Sequence, residues 1–168
     1  MKISMYHASV PVFTRAFSNL AAILEKAAAH AEAKKIDPAV FVNFRLYPDM
    51  LPFSSQIQIA TDNAKNGVAR LAGVEPPKFE DNEATLADLV ARLRKTITFL
   101  ESLKPEQVDG TEDKTVTWKT QSGERSMQGL PYLLRQVTPN VYFHVTTAYA
   151  ILRHCGVEVG KRDFLGPA

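Results

Sequence analysis

Two histidines and the only cysteine of this chain fall in one apolar stretch near its end, residues 139–156. His144 and His154 are ten residues apart. On one helix this spacing separates two side chains by about 80° around the axis and about 15 Å along it. Residues that hold one zinc ion from a single helix are three or four positions apart. The sequence therefore predicts that these two histidines do not share a metal ion.

The apolar residues of this stretch give the helix a buried side and place the two histidines differently. The buried side is defined by four residues, Val141, Val145, Ala148 and Leu152. His144 lies at the edge of that side and His154 lies further round, so we expect His144 to be the more buried. It is interpreted either as a hydrogen-bonded histidine at the core boundary or as a polar group that faces a ligand pocket.

The remaining candidate groups have simpler structural interpretations. Cys155 lies at the negative end of the helix, which raises the pKa of a thiol, so the sequence favours an unreactive cysteine. His30 falls in the last turn of the first predicted helix, where a cation suits the helix dipole. Asp49 is interpreted as a helix cap and Asp62 as a solvated surface residue.

Composition and motifs exclude several classes of function. The 20 lysines and arginines nearly balance the 18 aspartates and glutamates, and no run of basic residues could follow a nucleic acid backbone. One cysteine cannot form an internal disulfide, and no segment approaches the roughly 18 apolar residues of a membrane span. We therefore expect a cytoplasmic protein with neither nucleic acid nor membrane as partner. The sequence also lacks a glycine-rich phosphate loop, a nucleophile elbow and a paired-cysteine zinc motif.

Four amphipathic segments must position these residues. The predicted helices run from Val10 to about Lys35, from an Asp49 cap to Gly73, from a Thr85–Asp88 capping box to Lys104–Pro105, and from Thr138–Pro139 to Gly156. Two alternating runs around Gly123 predict a β-hairpin, which we expect Trp118 to pin onto the helices. The chain is thus predicted to be a single domain over residues 1–168, an all-α four-helix bundle with a small β-hairpin inserted before the last helix.

Phe143 points almost opposite to the core side of the last helix, next to Thr146 and Thr147. A helix with apolar residues on both sides is usually covered on both. Either the hairpin or a second copy of the chain must then lie over Phe143, and we expect a homodimer.

Three segments together resemble a family that is described only as a domain of unknown function. They are Tyr47–Phe53, Thr85–Leu89, and Asn140–Val157 with Gly160–Gly166. The family resembles a branch of the DinB/YfiT-like fold, which implies four helices with a long crossover. Many members of that wider fold bind a divalent metal through three histidines, one on the second helix and two on the last. Some use the metal in thiol-dependent transfer reactions.

The chain departs from this three-histidine pattern. No histidine occurs from Asp49 to Gly73, and the residue four before His154 is Ala150. Only His154 could correspond to a member of the triad, so we expect no metal cofactor, with zinc or nickel as the alternative. The resemblance implies that the start of the second helix meets the end of the last one. Four residues would then line an interhelical pocket: Asp49, Gln56, His144 and His154.

Three functions remain open at this point. The first is a DinB-like bundle without the usual metal site that binds a small molecule or a partner near His144 and His154. The second is a divalent-metal-dependent enzyme of thiol-transferase or hydrolase type, with carboxylate or amide ligands in place of the missing histidines. The third is a purely structural dimeric module.

Overall fold

The computed structural model describes residues 3–120 and 122–167, and most of this part of the chain is helical. Its long helices are α1 (Val10–Lys34), α3 (Phe53–Ala72), α4 (Leu86–Ser102) and α7 (Thr138–His154), and its short helices are α2 (Ala39–Asn43), α5 (Pro105–Val108), α6 (Gly129–Tyr132) and α8 (Lys161–Leu165). An antiparallel hairpin, β1 (Thr115–Thr120) and β2 (Gly123–Gln128), precedes α6.

The long helices pack around a shared apolar core. Helix α1 contacts α4 and α7, and α3 contacts the same two helices. The largest fully buried side chains include Phe13 and Phe17 of α1, Phe53 and Ile57 of α3, and Leu89 of α4. A mostly helical domain with a hairpin before the last helix is therefore confirmed, although short helices also fill the connections. None of the helices in residues 3–120 and 122–167 is long and apolar enough to cross a membrane.

The hairpin is attached through its tryptophan, as predicted. Its register pairs Thr115 with Gln128, and the side chains of β1 alternate between exposed and buried. The Trp118 ring is buried with its centroid 4.9 Å from that of Tyr132 in α6. Tyr132 in turn accepts a hydrogen bond from Arg70 of α3 at 3.0 Å. The hairpin thereby gains the support that an isolated pair of strands lacks.

The second long helix begins later than the sequence suggested. Asp49 is exposed in a turn, in which the Met50 N–H donates to the Tyr47 carbonyl at 3.0 Å. Pro52 has an extended backbone (ψ 166°) and is the N-cap of α3. A residue that precedes proline is disfavoured in the helical region, so Leu51 cannot belong to a first helical turn. The prediction that Asp49 caps this helix is therefore wrong.

The last helix begins earlier than the sequence suggested. A π-helical turn, Leu133–Val137, joins α6 to α7, and the Thr138 N–H donates to the carbonyl five residues back. Pro139 has no N–H and would interrupt a regular helix, and the wider turn absorbs that defect. Thr138 has helical dihedrals (φ −58°, ψ −48°), so the prediction that it caps the helix is wrong. Its hydroxyl is buried without a hydrogen-bond partner in the part of the chain that the structure describes.

A glycine lets this π-helical turn approach α3. A Cβ atom added to Gly67 would lie 2.6 Å from Cγ1 of Val137, well inside contact distance. We expect Gly67→Ala to lower the free energy of unfolding by about 1–3 kcal/mol, because the overpacking outweighs the better helix propensity of alanine. Urea denaturation measures this. Gly160→Ala is the control, since a Cβ there meets nothing within 4 Å. Equal stability of the two variants would contradict the packing.

A buried arginine holds the long connection between α3 and α4. Arg92 is 2% exposed and forms ion pairs with Asp62, Asp81 and Glu83 at 3.0, 2.8 and 2.9 Å. Its Nε also donates to the hydroxyl of Thr61 at 2.8 Å. The interpretation of Asp62 as a merely solvated residue is therefore wrong. We call Arg92 and its three carboxylate partners the Arg92 cluster.

The Arg92 cluster continues through a buried lysine. Lys65 donates to the Pro77 carbonyl at 2.6 Å, pairs with Asp62 at 3.2 Å, and lies 4.2 Å from the ring centroid of Phe79. Burial acts to raise the pKa of Glu83, but hydrogen bonds from Gln58 and Arg92 outweigh it and hold that pKa below its usual range.

Removing Arg92 should be costly, because the largely buried carboxylate of Glu83 would lose its counter-charge. We expect Arg92→Met to lower the free energy of unfolding by about 3 kcal/mol. Arg94→Met is the matched control, since Arg94 pairs with Glu25 on the surface and should cost at most about 1 kcal/mol. Urea unfolding at neutral pH measures both, and similar losses in the two variants would refute a special role for Arg92.

Candidate functional site

Gln56 and His144 meet where the first turn of α3 packs against α7. The Gln56 Oε1 lies 2.7 Å from the His144 Nδ1, although the two residues are 88 positions apart in the chain. Gln56 is 2% exposed and His144 is 9% exposed, whereas His154 is exposed. The expectation that His144 is the more buried histidine is confirmed. We call this place, with Leu51 and Phe143 beside it, the α3–α7 seam.

The hydrogen bonds at the α3–α7 seam fix which nitrogen of His144 carries the proton. Gln56 Nε2 donates to the Leu51 carbonyl at 3.0 Å, so the amide nitrogen faces Leu51 and the amide oxygen faces His144. An amide oxygen can only accept, and Nδ1 must therefore be protonated. In the neutral ring the lone pair then resides on Nε2.

The second ring nitrogen of His144, Nε2, differs from the first in having no partner in the described structure. Nε2 makes no hydrogen bond within the described residues. It is not sealed from solvent either, because Thr138 holds the only fully buried side-chain nitrogen or oxygen without a partner in this part of the chain. The Phe143 ring forms a T-shaped pair with the imidazole, with centroids 5.1 Å apart, and is 58% exposed. His144 thus has one unpaired acceptor beside an exposed aromatic ring.

Burial lowers the pKa of His144 below its ordinary value of 6.5, so the ring is neutral at neutral pH. The unfolded chain then binds the proton more readily, and stability should fall as the pH drops below about 6.5. We expect His144→Gln to lose this part of the pH dependence and His154→Gln to retain it. Urea unfolding between pH 5 and 7.5 measures the slopes. An unchanged slope in His144→Gln would contradict the assignment.

The other two predicted site residues are not joined to this pair. Asp49 is exposed in the turn before α3, and His154 is exposed at the end of α7 with its ring 5.7 Å from that of Phe44. Within the described chain no hydrogen bond or ion pair links either residue to Gln56 or His144. The contact with Phe44 nevertheless places the end of α7 near the segment that enters α3.

The donor set at the seam does not fit a three-histidine metal site. Helix α3 supplies the amide of Gln56, α7 supplies one imidazole, and the residue one turn after His144 is Ala148. Across residues 3–120 and 122–167, no three His, Cys, Asp or Glu side chains lie close enough to hold an ion. Cys155 is half-buried, and burial raises the pKa of its thiol.

A cavity of about 590 Å³ lies between α4 and the connection that precedes it. Its charged lining comes from six residues, Lys78, Glu80, Glu83, Asp88, Arg92 and Lys95. None of the sequence motifs indicated this charged cavity. The available signal was the position of Arg92 between Leu89 and Leu93 on the apolar face of α4. A charged residue on such a face needs buried partners.

The four packed long helices and the inserted hairpin define a protein of the DinB-like class. The crystal structure of a DinB family member from Shewanella denitrificans at 1.83 Å resolution is similar, with a TM-score of 0.89. The sequences are 42% identical, and the match covers 97% of this chain and 92% of that one.

The family follows from the sequence match. The model of the Domain of unknown function (DUF1993) matches residues 5–165, and the chain belongs to this family. The resemblance expected from the sequence is therefore confirmed. A comparison with curated proteins gave no match.

Phe143 is not covered by the hairpin, since more than half of its surface is exposed. The sequence left two alternatives for covering Phe143, the hairpin or a second copy of the chain. The second copy, and with it the homodimer, stays a prediction.

Proposed function

We propose that this protein is a DinB-like four-helix bundle that binds a small molecule at the α3–α7 seam without the usual three-histidine metal site. The observation that carries the proposal is the geometry of His144. Its Nδ1 is held by Gln56 at 2.7 Å, while its Nε2 makes no hydrogen bond within the described residues and is not fully buried.

The energetics of the seam support a binding role. Burying an imidazole and an amide costs free energy that an apolar pair in the same place would not cost. The Gln56–His144 and Gln56–Leu51 bonds together offset this cost for three of the four polar atoms, but in the described structure they leave the Nε2 of His144 without a partner. A ligand that donates to Nε2 would complete the network.

The cavity beside α4 is a weaker candidate, because three of its charged lining residues, Glu83, Asp88 and Arg92, already have protein partners. All three guanidinium nitrogens of Arg92 donate to protein oxygens. Glu83 accepts from Arg92 with one oxygen and from Gln58 with the other, and Asp88 forms the capping box of α4. Arg92, Glu83 and Asp88 hold the connection in place, and these three groups leave little for a ligand to bind.

The proposal predicts that small aromatic molecules bind at the seam. We expect at least one of phenol, anisole and toluene to shift the NMR signals of Phe143 and His144 saturably, with affinities of about millimolar for ligands this small. His154→Ala is the control and should leave the shifts unchanged. Absence of saturable shifts at Phe143 and His144 for all three molecules would overturn the proposal.

A parallel titration with zinc and nickel tests the metal-free part of the proposal. Protein purified without a histidine tag should show no stoichiometric ion whose binding depends on His144 or His154. A tightly bound ion that is lost in His144→Ala or His154→Ala would instead establish the metal-dependent alternative.

A further inference from the structure

We infer that the α3–α7 seam selects neutral ligands that join a hydroxyl or N–H donor to an apolar ring, because an imidazole acceptor of fixed tautomer lies there beside the exposed ring of Phe143. This inference rests on the proposed function and adds to it the chemical class of the ligand.

The hydrogen bonds of His144 favour a ligand that donates. Gln56 gives one N–H to Leu51, and His144 gives its Nδ1–H to Gln56. On the His144 ring this leaves the lone pair of Nε2 as the group without a partner in the described structure. A ligand with a hydroxyl or N–H group can bond to it, whereas an ether or carbonyl oxygen would oppose one lone pair with another.

The groups bonded at the seam carry no charge. The polar atoms that His144 and Gln56 contact are a carbonyl, an amide and a neutral ring, and no carboxylate is bonded to either residue in the described structure. A cationic ligand would have no counter-charge at this place. An anionic ligand would meet the lone pair of Nε2 and lose hydration without compensation. A neutral ligand avoids both costs.

The body of the ligand follows from the exposed apolar residues at the seam. Phe143 is 58% exposed and its ring forms a T-shaped pair with the imidazole, at an interplanar angle of 87°. Leu51 is 47% exposed, and its backbone carbonyl accepts from Gln56. Exposed apolar side chains of this size favour a partner that removes them from water, and an aromatic ligand can pair with the exposed Phe143 ring.

Phenol and anisole form a matched pair of probes for this inference. Both carry an aromatic ring and an oxygen, but only phenol can donate. We expect phenol to bind the wild-type protein about ten-fold more tightly than anisole, as judged from NMR titration of Phe143 and His144. A purely apolar site would bind anisole at least as tightly, because its methyl group buries more apolar surface.

The outcomes of this titration separate the donor requirement from the proposed function. Equal binding of phenol and anisole at the seam overturns the donor requirement and leaves the proposed function standing. In His144→Phe we expect the preference for phenol to disappear while anisole still binds, and His154→Phe should retain the preference. A preference that survives in a folded His144→Phe protein would overturn the role of Nε2.

A measurement on the unmodified protein tests the tautomer itself. The ¹⁵N spectrum of the His144 ring should show a protonated Nδ1 and an unprotonated Nε2 at pH 7. The opposite tautomer would overturn the inference, whether or not any variant folds. Gln56→Leu removes the acceptor for Nδ1–H, and we expect it to weaken phenol binding more than anisole binding.

Discussion

The hydrogen bond between Gln56 and His144 joins the two helices whose packing forms the candidate site, and its direction is set by the backbone that precedes α3. Pro52 keeps Leu51 out of the helix, so the Leu51 carbonyl is not used by a helical N–H. That carbonyl takes the amide N–H of Gln56 at 3.0 Å. A constraint on one backbone residue thereby decides which nitrogen of an imidazole on α7 holds the proton, and hence what the seam can recognise.

The Arg92 cluster and the α3–α7 seam show two different uses of buried polar groups. Arg92 is surrounded by acceptors, and its charge is balanced by carboxylates from α3 and from the connection to α4. A network in which the guanidinium donors are all paired fixes a long irregular segment and leaves Arg92 no free donor for a ligand. His144 is satisfied on one side only. We therefore assign the Arg92 cluster to the stability of the fold, and the binding proposal concerns the seam.

Local sequence signals predicted the elements well and the positions of their ends less well. The Thr85–Asp88 capping box, the hairpin and the stop at Gly156 depend on neighbouring residues, and all are present. The starts of α3 and of the last helix were misjudged because Pro52 and Pro139 act through the backbone before them. The pairing of Gln56 with His144, like that of Asp62 with Arg92, depends on how helices align. A single sequence carries no signal for that register.

The burial of His144 also bears on whether the seam suits proton transfer or recognition. A general base must hold a proton after taking it, which requires a pKa near the working pH and stabilisation of the imidazolium. Here burial lowers the pKa, and the groups bonded to His144 are neutral. A carboxylate in place of Gln56 would reverse this balance, because it would stabilise the cation. With an amide at that position, the same burial that penalises protonation keeps the Nε2 lone pair available at neutral pH, which favours binding over acid–base chemistry.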